Sequence, residues 1–167
     1  MPEEAALLAD YCNLDSLRLR QEVEKLAAYH GYTGKILKED IEALVAPTVD
    51  ANVFQLGDKV LRGDFNGAMA IVDDLLFLQE RPESILTILT MSFVDYYRAA
   101  AVRRAGGSYR FTKALEQCGR LSRPALEGSL EILADADARM KQSAADGRTV
   151  LEVTILRLIE LLRRERA

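Results

Sequence analysis

Apolar residues recur along this chain at spacings of three and four, and no segment keeps the two-residue alternation of a half-buried strand. The pattern predicts an all-α fold. A short helix is expected over Ala6–Tyr11, behind Pro2 and two glutamates whose charge suits a helix N-terminus. Leu14–Tyr29 follows as a second helix, with Leu19, Val23 and Leu26 on one face and Gly31 and Gly34 as stops. Ile36-Leu37 reads as a short extended link. Glu39–Ala46 reads as a brief helix that ends before Pro47, because the residue preceding a proline avoids helical backbone.

Beyond that proline the helices lengthen. "FQLGDKVLRGDFNGAMAIVDDLL", from Phe54 to Leu76, reads as two amphipathic helices meeting at a Gly63-Asp64 corner. Val53, Leu56, Gly57 and Val60 form one stripe, and Phe65, Ala68, Val72, Leu75 and Leu76 face inward on the other side of the corner. Glycine suits the left-handed position after a helix, and aspartate suits the cap of the next. Pro82 opens a long helix carrying Ile85, Leu89, Phe93 and Tyr96, stopped by Gly106-Gly107. Ser108 caps a helix toward Cys118, and Ser122 caps another, with Pro124 in its first turn, that runs to about Met140.

The last helix starts either at a capping box, Thr149–Glu152, or earlier, near Asp146. From Val150 to Leu162, nine of thirteen residues are Val, Leu or Ile, more than one core-facing stripe requires. Such a helix is either central to a bundle or shared with another subunit. The chain's one seam is Ala46–Asp50, where a prolyl break separates short helices from longer ones.

Composition narrows the function. The chain has 167 residues, 49% of them hydrophobic, enough to bury a core. A net charge of −4 gives no overall attraction to nucleic acid. The charge is uneven, however: Met1–Asp95 holds 17 acidic and 8 basic residues. Tyr96–Pro124 holds one acid, Glu116, and seven bases: Arg98, Arg103, Arg104, Arg110, Lys113, Arg120 and Arg123. These cations can contact phosphates or pair with acidic protein surface. Cys12 and Cys118 stand far apart, which fits a reducing cytoplasm and gives neither a disulfide framework nor a metal site. The sequence shows no signal peptide and no run long enough for a membrane helix.

Candidate chemistry is sparse. There is no phosphate-cradling glycine loop ahead of a Lys-Ser/Thr pair. His30 is the sole histidine and falls at a helix C-terminus, without cysteines to complete a metal site. Asp73-Asp74 and the Asp135/Asp137 pair sit beside solvent-facing positions, and Tyr96-Tyr97 continues a core stripe. No catalytic, cofactor or metal residue is assigned, and the chain is expected not to be an enzyme.

Four stretches, in order, carry a resemblance. "NLDSLRLRQEVEKLAAYHG" (Asn13–Gly31) is similar to a helix with an Asp-Leu pair leading to Gln-Glu-x-x-Lys-Leu. "ILKEDIEALV" (Ile36–Val45) is similar to an extended entry into Glu-Asp-Ile-x-x-Leu-Val. "NVFQLGDKVLRGDFNGAMAIVDDLL" is similar to an Asn-Val-Phe-x-Leu hairpin, and "DADARMKQSAADGRTVLEVTILRL" to a closing Ala-Asp-x-x-x-Lys stretch before an apolar helix. Together they resemble the C-terminal part of the delta subunit of bacterial DNA polymerase III, a component of the clamp loader that places the sliding clamp on primed DNA.

The resemblance implies a partial lid domain of AAA+ type over residues 1–47 and a helical collar, or oligomerisation, domain over residues 48–167, with the family's N-terminal ATPase-like domain absent. It implies a non-catalytic, cytoplasmic piece of a nucleotidyltransferase holoenzyme, without cofactors. Its partners would be other clamp-loader subunits of gamma/tau and delta-prime type. DNA would be met indirectly or weakly, and the sliding clamp only through the missing domain. Candidate interface residues are Val150, Val153, Leu156, Leu161, Arg163 and Arg164, with Arg166 beside them. Two departures stand out: Lys38 takes a place where a hydroxyl cap is common, and Val94-Asp95 follows Phe93 where the family often has arginines. The alternative reading is a stand-alone helical nucleic-acid-binding module using the Arg98–Arg123 segment.

Overall fold

The computed structural model describes residues 2–102, 121–142 and 146–165. These form eight α-helices, and no strand occurs among the described residues. Gly106-Gly107 and the helix expected from Ser108 lie outside them, as does Arg166. The chain divides into two compact units, Met1–Asn52 and Val53–Ala167.

The first unit holds α1 (Pro2–Tyr11), α2 (Ser16–Tyr29) and α3 (Lys38–Leu44). Its core is Leu8, Cys12, Leu26, Ile41 and Val45. Helix α1 begins at Pro2, four residues before the expected Ala6, because a proline at the first helical position loses only a backbone N–H that has no helical partner. Helix α2 begins at Ser16 and not Leu14. Asn13 and Leu14 adopt left-handed backbone, with φ of 52° and 59°, and the Asp15 carboxylate accepts from the amides of Leu17 and Arg18 at 2.9 and 3.1 Å. Val23, expected inward, is 42% exposed.

Helix α3 lacks a hydroxyl cap, and Asp40 fills the gap. Its carboxylate accepts from the Leu37 amide at 2.7 Å and lies 2.9 Å from Nε2 of His30. Two cations of α2 close the other end of α3. Arg18 donates to the Ala46 carbonyl and Lys25 to the Leu44 carbonyl, both at 2.8 Å, satisfying acceptors that a helix end leaves free. Thr48 then caps the next helix by accepting from the Ala51 amide at 3.1 Å, so that α4 starts at Val49 and not Val53.

The second unit comprises the rest of α4 (Val49–Arg62) with α5 (Phe65–Phe77), α6 (Pro82–Val102), α7 (Arg123–Gln142) and α8 (Gly147–Arg164). The α4–α5 corner has the expected chemistry: Gly63 sits at φ 75° and the Asp64 carboxylate accepts from the Gly67 amide at 2.9 Å. Lys59 adds a bond of 2.8 Å to the same carboxylate. Ser122 caps α7 by accepting from the Ala125 amide at 3.1 Å. Asp146, not Thr149, caps α8. It accepts from both the amide and the hydroxyl of Thr149, at 3.0 and 2.9 Å, and with the helix starting at Gly147, Thr149 lies inside the first turn and not at its cap.

Helices α6, α7 and α8 pack on one another, and α5 lies against α6 and α8. Phe93 and Tyr96 of α6 are fully buried and meet edge to face at 5.4 Å. The buried hydroxyls of Ser92, Ser129 and Thr154 each donate to a carbonyl four residues back, so they enter the core without a desolvation penalty left open. Gly57 is what lets α4 approach α6: a Cβ there would stand 2.9 Å from the Tyr96 hydroxyl oxygen.

Alanine normally stabilises a helix interior relative to glycine by about 0.5–1 kcal/mol. Gly57→Ala is nonetheless expected to destabilise the protein by about 1 kcal/mol net, since overpacking costs about 1–3 kcal/mol. Urea unfolding of the single variants and of Gly57→Ala/Tyr96→Phe checks this: the double variant should show favourable coupling of at least about 0.5 kcal/mol.

Candidate interaction surface

The surplus of apolar residues on α8 has a geometric outcome. Val150, Leu151, Ile155, Leu158, Ile159 and Leu162 are buried inside the chain's own core. At about 100° per residue, Val153 and Leu156 fall on the opposite side, where they are 40% and 46% exposed. Leu161 is half-buried, its methyl 3.1 Å from where a Cβ on Gly128 would stand. The helix is therefore the centre of the bundle and still has apolar surface left over. Val150, at 7% exposure, packs mainly inward with Thr154 and Leu158, and what surface it keeps is turned to the groove described next.

Beside Val153 the surface hollows into a groove of about 380 Å³ between α7 and α8. Ala136, Val150 and Val153 supply its apolar walls, Thr149 and Thr154 line it, and Arg139 and Arg157 stand at its edge. The two hydroxyls are already used within the chain, by Asp146 and by the Val150 carbonyl. The guanidiniums converge on one acid of α7. Arg157 reaches Asp135 at 2.5 Å and Arg139 reaches the same oxygen at 3.1 Å. The hydrogen bond from Arg157 chiefly, and that from Arg139 next, hold the Asp135 carboxyl below its ordinary range.

The remaining candidates lie elsewhere on the unit. Arg163 donates to the Gly63 carbonyl at 3.3 Å, and Arg164 pairs with Glu160 one turn back. Of the basic segment, Arg103, Arg104, Arg110, Lys113 and Arg120 lie outside the described residues. Arg98 is exposed, 3.9 Å from Asp95. Arg123 bonds Glu127 at 2.9 Å and covers the Tyr97 ring at 5.8 Å, while the Tyr97 hydroxyl donates to the same Glu127 oxygen at 3.1 Å. Tyr97 thus holds a surface cluster, and Tyr96 alone continues into the core.

Asp73 and Asp137, like Asp135, are engaged by neighbouring cations. Arg148 grips Asp73 with two bonds, of 2.9 and 3.2 Å, and Lys141 bonds Asp137 at 2.6 Å. Among the described residues no group of three His, Cys, Asp or Glu side chains is placed to hold a metal ion, and no helix is long and apolar enough to cross a membrane. What this surface offers is recognition: an apolar floor, charged edges, and a rigid helix beneath. Arg139 and Arg157 were not among the residues expected from the sequence. The i,i+4 spacing of Asp135 and Arg139 was a visible signal, whereas the partner from α8 depends on how two helices cross.

Comparison with known proteins gives a consistent picture. The profile of "DNA polymerase III delta subunit, C-terminal domain" matches residues 50–158. The chain is 26% identical to DNA polymerase III subunit delta of Bacillus subtilis (strain 168), covering 84% of this chain and 44% of that protein. The solved structure of the Bacillus subtilis DNA clamp loader delta protein, YqeN, is similar with a TM-score of 0.79 at 26% identity, covering 94% of this chain and 50% of that one. The chain spans about half the length of these relatives.

The Asp135 cluster makes a pH-dependent signature. A carboxyl whose folded-state pKa is lowered stabilises the fold above its unfolded-state value, and that stabilisation disappears as pH falls through the folded-state value. Carbon-detected NMR titration should therefore place the Asp135 midpoint below the ordinary value of about 3.9. Arg157→Gln should move it upward, and a midpoint unaffected by that change would show that Arg157 is not the cause.

Proposed function

The chain belongs to the family formed by the C-terminal domains of DNA polymerase III delta subunits, and on that premise we propose that it is a non-catalytic assembly element of a clamp loader. In this reading residues 1–47 are part of an AAA+-type lid and residues 48–167 are a collar domain. The collar holds the chain to other clamp-loader subunits, of gamma/tau and delta-prime type, in a complex that loads the sliding clamp onto primed DNA in the cytoplasm. Contact with the clamp itself belongs to the ATPase-like domain found in the family and not to these residues.

The supporting observation is the dual role of α8. Its inner side forms the core of the second unit, while Val153 and Leu156 stay exposed on the same rigid rod. An assembly scaffold has to be stiff and to keep apolar area for its neighbours. The described cations of the basic segment are less suited to gripping phosphates, since Arg98 and Arg123 each face a carboxylate at the surface.

Mixing the purified chain with the remaining clamp-loader subunits should give a complex that co-elutes in size-exclusion chromatography, and the chain alone should hydrolyse no ATP. Separate elution at micromolar concentrations would overturn the assembly reading. Salt-sensitive DNA binding by the isolated chain, abolished by reversing Arg103 and Arg104, would replace it with the nucleic-acid-binding alternative.

A further inference from the structure

The groove beside Val153 has a chemical preference, and resting on the assembly reading we infer that it receives an acidic amphipathic helix from a neighbouring protein of the complex, one that presents a large apolar side chain flanked by aspartate or glutamate. Three observations lead there. The hollow of 380 Å³ has room for a leucine or phenylalanine side chain, and its walls are Ala136, Val150 and Val153. Its two lining hydroxyls already donate within the chain, so neither has a proton to offer a carboxylate or carbonyl of a guest, and the apolar walls are left to receive an apolar side chain. Among the described residues, the ionised side chains that line it are both cations, Arg139 and Arg157.

Charge fixes the sign of the guest. Arg139 and Arg157 both reach the carboxylate of Asp135, and both line the groove, so the charged side chains it presents are cationic. Arg157 is 42% exposed and is bonded to Asp135 through one of its nitrogens. Guanidinium forks suit incoming carboxylates, and opposite charges around an apolar centre set both the orientation and the rate of docking. A lysine-rich helix would be repelled. A nucleic-acid backbone would satisfy the arginines but leave the apolar floor uncovered, so the combination favours protein. Leu156, one turn beyond Val153 and 46% exposed, extends the apolar strip along which such a helix would lie.

The test uses the full chain with the other purified clamp-loader subunits. A photo-crosslinking residue at Leu156 should join one of them, and mass spectrometry should place the link in a helical peptide with carboxylates beside an apolar residue. Val153→Asp and Arg157→Glu should each weaken the complex by at least about tenfold, while Arg157→Lys retains most of the affinity. Circular dichroism melts confirm that each variant is folded, and Leu156→Glu provides a second disruption that leaves the Asp135 cluster untouched. Wild-type affinity in Val153→Asp and Leu156→Glu would overturn the groove but leave the assembly reading standing. A crosslink to a basic or uncharged peptide would overturn the inference about the guest. No complex with the unaltered chain would remove both readings, and loss of DNA binding alone in Arg157→Glu would reassign the groove to nucleic acid.

Discussion

A helix with nine aliphatic residues in thirteen cannot be left hydrated on every side, and in this protein that constraint organises the second unit. Helix α8 is packed against α5, α6 and α7. Six of its aliphatic residues are taken up by this internal packing. The remainder cannot be turned inward, because the helical angle that buries Val150 and Leu158 carries Val153 and Leu156 to the far side. A surplus apolar strip is thus a geometric by-product of building the core around such a helix, and the same rigidity that fixes the core fixes the strip.

Polar side chains work mainly at the ends of the helices. Asp15, Asp64, Ser122 and Asp146 each accept from an amide just inside a helix. Arg18 and Lys25 donate to carbonyls at the C-terminal end of α3, and Arg163 donates to the carbonyl of Gly63. Each of these bonds satisfies a backbone group that would otherwise have only water. The consequence is sharp corners between short helices. Other charges face solvent in pairs one turn apart, such as Arg123 with Glu127 and Lys141 with Asp137, and such exposed pairs contribute little to stability.

Much of the fold was legible in the sequence because local chemistry decides it. The Gly63-Asp64 corner needs only a residue free to take positive φ and a capping carboxylate, and both could be read directly. The all-helical class followed from the period of the apolar residues. Helix starts were less legible: Pro2, Asp15 and Asp146 competed with nearby residues of similar propensity, and the winner depended on hydrogen bonds visible only in three dimensions. The surface was legible in part. Val153 and Leu156 could be named from the helix's excess of aliphatics, but not separated from Val150 without knowing which side faced α7. The Arg139–Asp135–Arg157 cluster joins residues from two helices, and no spacing within one helix encodes it.

The bond from Arg163 to Gly63 joins residues 100 positions apart in the chain. While the polypeptide is still emerging from the ribosome, the α4–α5 corner therefore exists without its last clasp, and the aliphatic faces of α5, α6 and α7 wait for the stretch of sequence that will cover them. Consolidation of this unit waits until α8 has cleared the exit tunnel. Until then those faces are open to chaperones, and a chain that stalls before residue 150 has no route to closing them.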